Sequence, residues 1–316
     1  MLPKVLVTLG VPREHLAPLD GLAELVVLDH GICAAPREAV LEAVPGCFGI
    51  ISQGELRVDD ELLDRAGPDL KIVANAAMGI DNLDLDAIRN RGIAASNTPD
   101  AFAESTADLA LGLILSLTRR IAEGDRFVRS GSWAETGMQP LRWEGTLAGG
   151  KTLGIIGYGR IAKLVERRAH AFNMSVRYTR TRPDGGDNYR SFDDLLAESD
   201  LVLALVPHTP QTHHLIDATA LSKMKRGALF INVARGKVMD EAAVVDALNS
   251  GHLGGAAFDV FEDEPVVSPE FFGMDNVVMT PHIGGATTEE RKQGRLEAAE
   301  NVARFIKGEP LLSPVT

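Results

Sequence analysis

The run Leu153-Gly154-Ile155-Ile156-Gly157-Tyr158-Gly159-Arg160-Ile161-Ala162 sets small residues at 157, 159 and 162, where an apolar strand pattern turns directly into a helical one. A first glycine makes the tight turn, a second lets backbone approach a diphosphate, and a third small residue lets helix and strand pack closely. Amide N–H groups at the helix start then face the anion. The glycine spacing alone is weak, but its surroundings support it. From Lys151 onward, strand patterns at 152–156, 175–179, 201–205, 228–232, 255–259 and 277–280 are separated by helical patterns at 160–172, 192–197, 219–224 and 241–250. This rhythm predicts a doubly wound parallel sheet, because parallel strands need crossover connections.

The first third repeats the rhythm on a smaller scale. Strands are predicted at 5–9, 24–28, 49–52, 71–76 and 93–96, with helices at 36–44, 59–65 and 83–90. Pro99 disfavours helix at Thr98, and Asp100 is a suitable N-cap for an apolar helix over 101–121. Residues 122–150 read as irregular and hold both tryptophans, Trp133 and Trp143. They are either an arm that packs on a second subunit or a satellite core of one chain. An amphipathic helix over 288–306 reads as a return to the first domain. The expected fold class is α/β: two doubly wound parallel-sheet domains joined by two hinge helices. The expected division is 1–98 plus 287–316 against 99–286, with a dimerisation arm at 122–150.

Charge narrows the partners. The chain of 316 residues has 32 Lys and Arg against 44 Asp and Glu, a net charge of −12. That excess repels phosphate backbones and anionic lipid, so neither nucleic acid nor a membrane is an expected partner. Cys33 and Cys47 form no metal-binding spacing, and no metal is expected. The N-terminal residues lack a signal-peptide pattern, and the apolar stretch 109–122 is too short and charged to cross a bilayer; a cytoplasmic location is expected.

The strand after the glycine loop ends in Val176-Arg177-Tyr178-Thr179-Arg180-Thr181-Arg182. An NAD site usually places Asp or Glu there for the ribose hydroxyls. Arginines and hydroxyls instead suit a 2′-phosphate, so NADP is favoured with NAD possible; the plainer reading is a solvated basic loop. Three further segments end successive strands: Asn232-Val233-Ala234-Arg235-Gly236, Asp259-Val260-Phe261-Glu262-Asp263-Glu264-Pro265 and Pro281-His282-Ile283-Gly284. Each alone reads as surface charge or loop. Together they fit reduction of a 2-keto acid, in which Arg holds the carboxylate in a planar fork, His donates a proton, and a carboxylate stabilises the imidazolium.

With Asn97-Thr98-Pro99-Asp100 and Glu104-Ser105-Thr106-Ala107-Asp108, these segments make the chain resemble the D-isomer-specific 2-hydroxyacid dehydrogenases over nearly its whole length. Within that family, Tyr178-Thr179-Arg180-Thr181 is similar to the NADP-preferring glyoxylate and hydroxypyruvate reductases. The resemblance implies a flavodoxin-like substrate domain, a Rossmann cofactor domain and a homodimer. It implies Arg235 as substrate binder, His282 as acid/base, Glu264 as its partner, and Met78 and Gly79 as backbone donors to the substrate carboxylate. It assigns Thr106, Gly157, Tyr158, Gly159, Arg160, Ile161, Thr179, Arg180, Thr181, Val206, Pro207, Thr212, Val233, Ala234, Asp259 and Gly284 to the cofactor, with Asp259 on the nicotinamide amide. The chain departs from the family at Ala162, where a third Gly is usual, and at Ala76-Ala77-Met78-Gly79 in the substrate loop.

The expected function is NAD(P)H-dependent reduction of a small 2-keto acid, such as glyoxylate or hydroxypyruvate, to the D-2-hydroxy acid, and the reverse oxidation. The alternative is a dinucleotide-sensing binding protein of the corepressor type, but no basic or recognition segment is present for a partner. His208, His213 and His214 cluster without a carboxylate or thiol at ligand spacing, and the adjacent pair would point to opposite faces if extended.

Overall fold

A computed structural model describes residues 1–316. In chain order the strands are β1 (Lys4–Val7), β2 (Glu24–Val27), β3 (Gly49–Ser52), β4 (Ile72–Asn75), β5 (Ala94–Ser96), β6 (Thr152–Ile156), β7 (Ser175–Thr179), β8 (Leu201–Ala204), β9 (Ala228–Asn232), β10 (Leu253–Phe258) and β11 (Val277–Met279). The helices are α1 (Arg37–Ala43), α2 (Asp60–Ala66), α3 (Leu85–Asn90), α4 (Ala103–Thr118), α5 (Ile121–Arg129), α6 (Ser132–Thr136), α7 (Arg160–Ala171), α8 (Phe192–Glu198), α9 (Ala218–Lys223), α10 (Glu241–Asn249) and α11 (Thr288–Lys307). They fall into two compact units, residues 1–102 with 286–316 and residues 103–285.

The first unit has five parallel strands in the order β2-β1-β3-β4-β5, which reverses direction between β1 and β3. Every residue of β3 and β4 is buried, as expected of a parallel sheet covered on both faces. The two-residue period sorts the side chains. Leu6, Ile50 and Val73 pack with Leu62 and Ile88, whereas Val5, Ile51 and Ala74 pack with Ala298 and Val302 of α11.

The second unit has six parallel strands in the order β11-β10-β9-β8-β6-β7, reversing between β6 and β8. No further strand lies beyond β7. There the chain turns back so that Tyr178 N–H donates to Asn188 O (3.0 Å) and Arg190 N–H to Tyr178 O (2.9 Å). Phe230, Phe258 and Val202 face α8–α10, while Leu153, Ile155, Leu203 and Ile231 face α4 and α7. Both sheets meet the expectation of two parallel α/β domains.

The segment predicted as irregular is mostly helical. The first long helix stops at Thr118, because Arg120 takes a left-handed conformation (φ 53°) and α5 and α6 follow. Thr118 O is still satisfied, accepting from Thr146 N–H at 2.8 Å. Arg120 Nε donates to buried Glu123 at 2.7 Å, and its guanidinium lies over the Trp143 ring at 5.5 Å. Trp143 also packs on Phe127 (4.9 Å), whereas Trp133 stays 47% exposed, so only one tryptophan joins a local core. The density of charge and Gly124 masked these helical turns in the sequence. No helix is long and apolar enough to cross a membrane.

Candidate active site

In the second unit, the residues of interest gather at the carboxyl ends of the strands beside the reversal between β6 and β8, the usual ligand side of such sheets. Gly157 has φ 94°, and a Cβ there would lie 2.6 Å from Leu205 O, so no other residue fits this turn. Gly159 is the N-cap of α7 and offers no side-chain cap, whereas α8, α9 and α10 are capped by Ser191, Asp217 and Asp240. Space beside Gly159 is open: nothing lies within 4 Å of a Cβ built there. An uncapped first turn with open space before it fits a diphosphate, whose oxygens would accept from the N–H groups of 159–161. Ala162 is fully buried in the core beneath α7, which explains why a small residue suffices at the third position.

At the end of β7, Thr179 is buried and Arg180 and Thr181 are exposed. The arginines divide their work. Arg177 Nη1 donates to Asn188 Oδ1 at 2.8 Å and is spent on the turn. Arg180 Nη1 lies 3.2 Å from Asp184 Oδ2, and Tyr178 Oη donates to Asp184 Oδ1 at 2.8 Å. A carboxylate therefore does stand at this strand end, two residues beyond the stretch 176–182. Tyr158 stacks on Tyr178 with ring centroids 3.6 Å apart and donates to Glu166, so the glycine loop and the strand end are one packed unit.

Val206 and Pro207 follow β8, and Thr212 Oγ1 donates to Pro207 O at 2.7 Å, closing the loop that borders this crevice. The histidines there differ from the extended-chain expectation. His214 has φ 48°, and its ring stacks on His213 at 4.1 Å instead of facing away. The fold also brings a carboxylate to it: His214 Nε2 is 3.2 Å from Glu262 Oε1.

The chemical groups are held by backbone clamps invisible in the sequence. Fully buried Asn232 accepts from Ala234 N–H and donates to Arg235 O, both at 3.0 Å, closing the turn that presents Arg235. Gly236 follows because the chain passes against the next strand's loop: a Cβ there would lie 1.9 Å from Phe261 C. Phe261 N–H in turn donates to Glu264 Oε1 at 2.9 Å. Glu264 Oε2 receives Nδ1–H of His282 at 2.7 Å, leaving Nε2 as the position for proton donation. His282 itself is left-handed (φ 51°), its N–H donating to Asp259 O at 2.9 Å.

Asp259 is only 1% exposed, and its carboxylate accepts from Thr280 Oγ1 (2.6 Å), Ile283 N–H (2.8 Å) and Gly284 N–H (2.7 Å). It is thus the anchor of the His282 loop, a role the sequence reading did not assign. Gly284 also faces Thr106 of α4, whose Oγ1 would be 3.4 Å from an added Cβ; Val233 and Ala234 are buried beside Arg235.

The electrostatics follow from the contacts. The hydrogen bond with Glu264 raises the His282 pKa above its ordinary value, outweighing burial and the nearby Arg235 charge, which oppose it. Burial pushes the Glu264 carboxyl up, but the His282 hydrogen bond and charge hold it below the usual range. The imidazolium therefore persists to higher pH than a free histidine, and a reduction that consumes its proton falls as pH rises through that raised value. Glu264→Gln removes the first cause, so the alkaline limb of the kcat/KM profile moves to lower pH; an unmoved limb would contradict this pairing.

Met78 and Gly79 belong to the first unit, in the loop after β4. Asn97 Nδ2 donates to Met78 O at 2.8 Å and Asn75 Nδ2 to Gly79 O at 3.0 Å, so these peptide units are oriented through their carbonyls.

Residues 111–284 match the model of the D-isomer specific 2-hydroxyacid dehydrogenase NAD binding domain. A glyoxylate reductase of Pyrococcus furiosus is 41% identical, with 98% of this chain and 94% of the relative covered. This chain belongs to the D-isomer specific 2-hydroxyacid dehydrogenase family. Among solved structures, an NADPH-dependent glyoxylate/hydroxypyruvate reductase from Sinorhizobium meliloti, in complex with NADP and malonate, superposes with a TM-score of 0.88 at 32% identity, covering 100% of this chain and 97% of that one. A glyoxylate reductase from Paecilomyes thermophila gives 0.86 at 33%, covering 99% and 98%. The second unit of this dehydrogenase is accordingly its nicotinamide dinucleotide domain, and the chain is an oxidoreductase.

Proposed function

We propose that this dehydrogenase reduces small 2-keto acids, glyoxylate and hydroxypyruvate among them, to D-2-hydroxy acids, with NADPH preferred over NADH. The observation that carries the reading is the His282–Glu264 pair at 2.7 Å, on the strand-end loops beside the one that presents Arg235. Bound nicotinamide supplies a hydride to the keto carbon. Arg235 holds the substrate carboxylate and polarises the carbonyl through a bidentate fork, and the amides of Met78 and Gly79 add donors to the carboxylate. His282 gives its Nε2 proton to the carbonyl oxygen as the C–O⁻ charge develops, and Glu264 stabilises the charged ring before that transfer. In the oxidation direction, neutral His282 takes the hydroxyl proton back. Asp259 holds the His282 loop through its bonds from Thr280, Ile283 and Gly284.

Arg180, with Thr179 and Thr181, supports the preference for a 2′-phosphate, since a guanidinium binds a dianion far better than a hydroxyl. Asp184 already partners Arg180, which moderates the preference and leaves NAD usable. Exposed Trp133, Met138, Leu141 and Leu147 support the 122–150 arm as a homodimer contact.

The test is steady-state turnover of a 2-keto acid panel with each cofactor, repeated on Arg180→Ala. We expect turnover with both cofactors, and about a tenfold or greater loss of the NADPH advantage in the variant, the value of a charge-assisted contact. Tight NADPH binding without turnover of any keto acid refutes the enzyme reading. Equal use of both cofactors by the unaltered protein refutes the phosphate assignment alone.

A further inference from the structure

Arg295, near the middle of α11, has no task in the reaction described above. It is half-buried, and its stem lines a mainly apolar cavity of about 10 Å³ with Leu16, Ile51, Gln53 and Ala76 at the carboxyl ends of the first unit's strands, beside the β1/β3 reversal. Its Nε donates to Gln53 Oε1 at 2.9 Å, and its Nη1 is 3.5 Å from Nδ1 of buried His15. His15 is kept neutral by burial and by the Arg295 charge, so both partners are uncharged. Arg295 forms no ion pair. Other arginines of this unit do: Arg37 reaches Asp59 at 2.6 Å, Arg91 reaches Asp64 at 2.6 Å and Arg304 reaches Glu300 at 3.0 Å.

A guanidinium drawn partly from water without a counter-ion is costly, and burial with the nearby Arg291 charge pushes its pKa down. Glu55, on the same loop as Gln53, is the carboxylate whose field it feels, but the two do not approach closely enough to form an ion pair. The arrangement is a cation held by Gln53 and set beside Ala76, which opens the 76–79 loop assigned to substrate, where an anion arriving from solution would stabilise it.

We propose that Arg295, positioned by Gln53, is a subsite for a second, distal carboxylate, so that the favoured substrates are 2-oxo dicarboxylic acids. The inference rests on the keto-acid reading above and adds to it the charge of the far end of the substrate. Glyoxylate, with no far end, would use the reaction centre without this subsite.

The test compares 2-oxopentanedioate with 2-oxopentanoate, equal in chain length and differing in the terminal carboxylate. We expect kcat/KM to favour the diacid by about tenfold or more, and Arg295→Met to lower that ratio by about tenfold or more, as loss of a charge-assisted contact implies. Arg295→Lys should retain part of the ratio. Competitive inhibition by glutarate but not pentanoate, weakened in Arg295→Met, reads the same subsite without turnover of a diacid. Gln53→Leu, which releases the guanidinium from its position, should lower the ratio too, and it serves if the Arg295 variants melt early. A ratio near one, or a ratio that these substitutions leave unmoved while monoacids are still reduced, overturns the subsite and leaves the dehydrogenase standing. Failure to reduce either five-carbon acid while glyoxylate is still reduced overturns this inference alone; failure with glyoxylate as well overturns the keto-acid reading and this inference with it.

Discussion

Replacing His282 with asparagine lowers kcat for 2-keto acid reduction about 10²–10⁴-fold, the usual worth of a positioned general acid. Asparagine is the informative substitute because position 282 is left-handed, at φ 51°, and asparagine tolerates that region where most residues are strained. The backbone bond to Asp259 O does not depend on the side chain, so the loop keeps its anchor. What disappears is the proton at Nε2 and the charged ring that Glu264 stabilises. Cofactor affinity, measured by fluorescence titration, and the melting temperature should both stay near their starting values. A kcat within a few-fold of the unaltered protein would remove His282 from the proton-transfer role.

Gly236→Ala is expected to damage both stability and activity. The new Cβ would sit 1.9 Å from Phe261 C and O and 2.4 Å from Glu262 N, and these are backbone atoms that cannot swing aside like a side-chain end. Overpacking of this severity costs about 3 kcal/mol or more. At about 2–4 °C per kcal/mol for a domain of this size, Tm falls by roughly 6–12 °C. The clash also separates two loops that must stay in register. One presents Arg235, and the other carries Phe261 N–H, which holds the Glu264 carboxylate. Displacement of about 1 Å between reacting groups costs about 10²-fold in rate, so kcat/KM should fall by at least that at temperatures where the variant is still folded. A variant with unaltered Tm and kinetics would mean that the two loops are free to part.

These two variants mark where sequence reading succeeded and where it stopped. His282, Arg235 and Glu264 were legible because a proton donor, a carboxylate binder and a carboxylate partner each end a predicted strand. Gly236 was legible only as part of a motif, since the reason for it is the closeness of a backbone 25 residues away in the chain. Asp184 was missed for a related reason. It lies past the end of β7, where the chain turns and returns the carboxylate to Arg180 and Tyr178. The helical character of 121–136 was hidden because charged residues and Gly124 obscure the apolar period, while Arg120 supplies a turn that periodicity does not register. The stacked His213 and His214 contradict an extended-chain argument because one positive φ reorients the second ring.

By itself the sequence determined two parallel α/β units, the dinucleotide loop and the three groups that fit the chemistry. Periodicity, small-residue spacing and residue type are local properties, and each of those conclusions depends on them. Only the tertiary structure decided what anchors the His282 loop, which carboxylate faces Arg180 and which half-buried cation forms no ion pair. Each of those rests on atoms that meet through space, between elements whose sequence separation carries no signal of their contact.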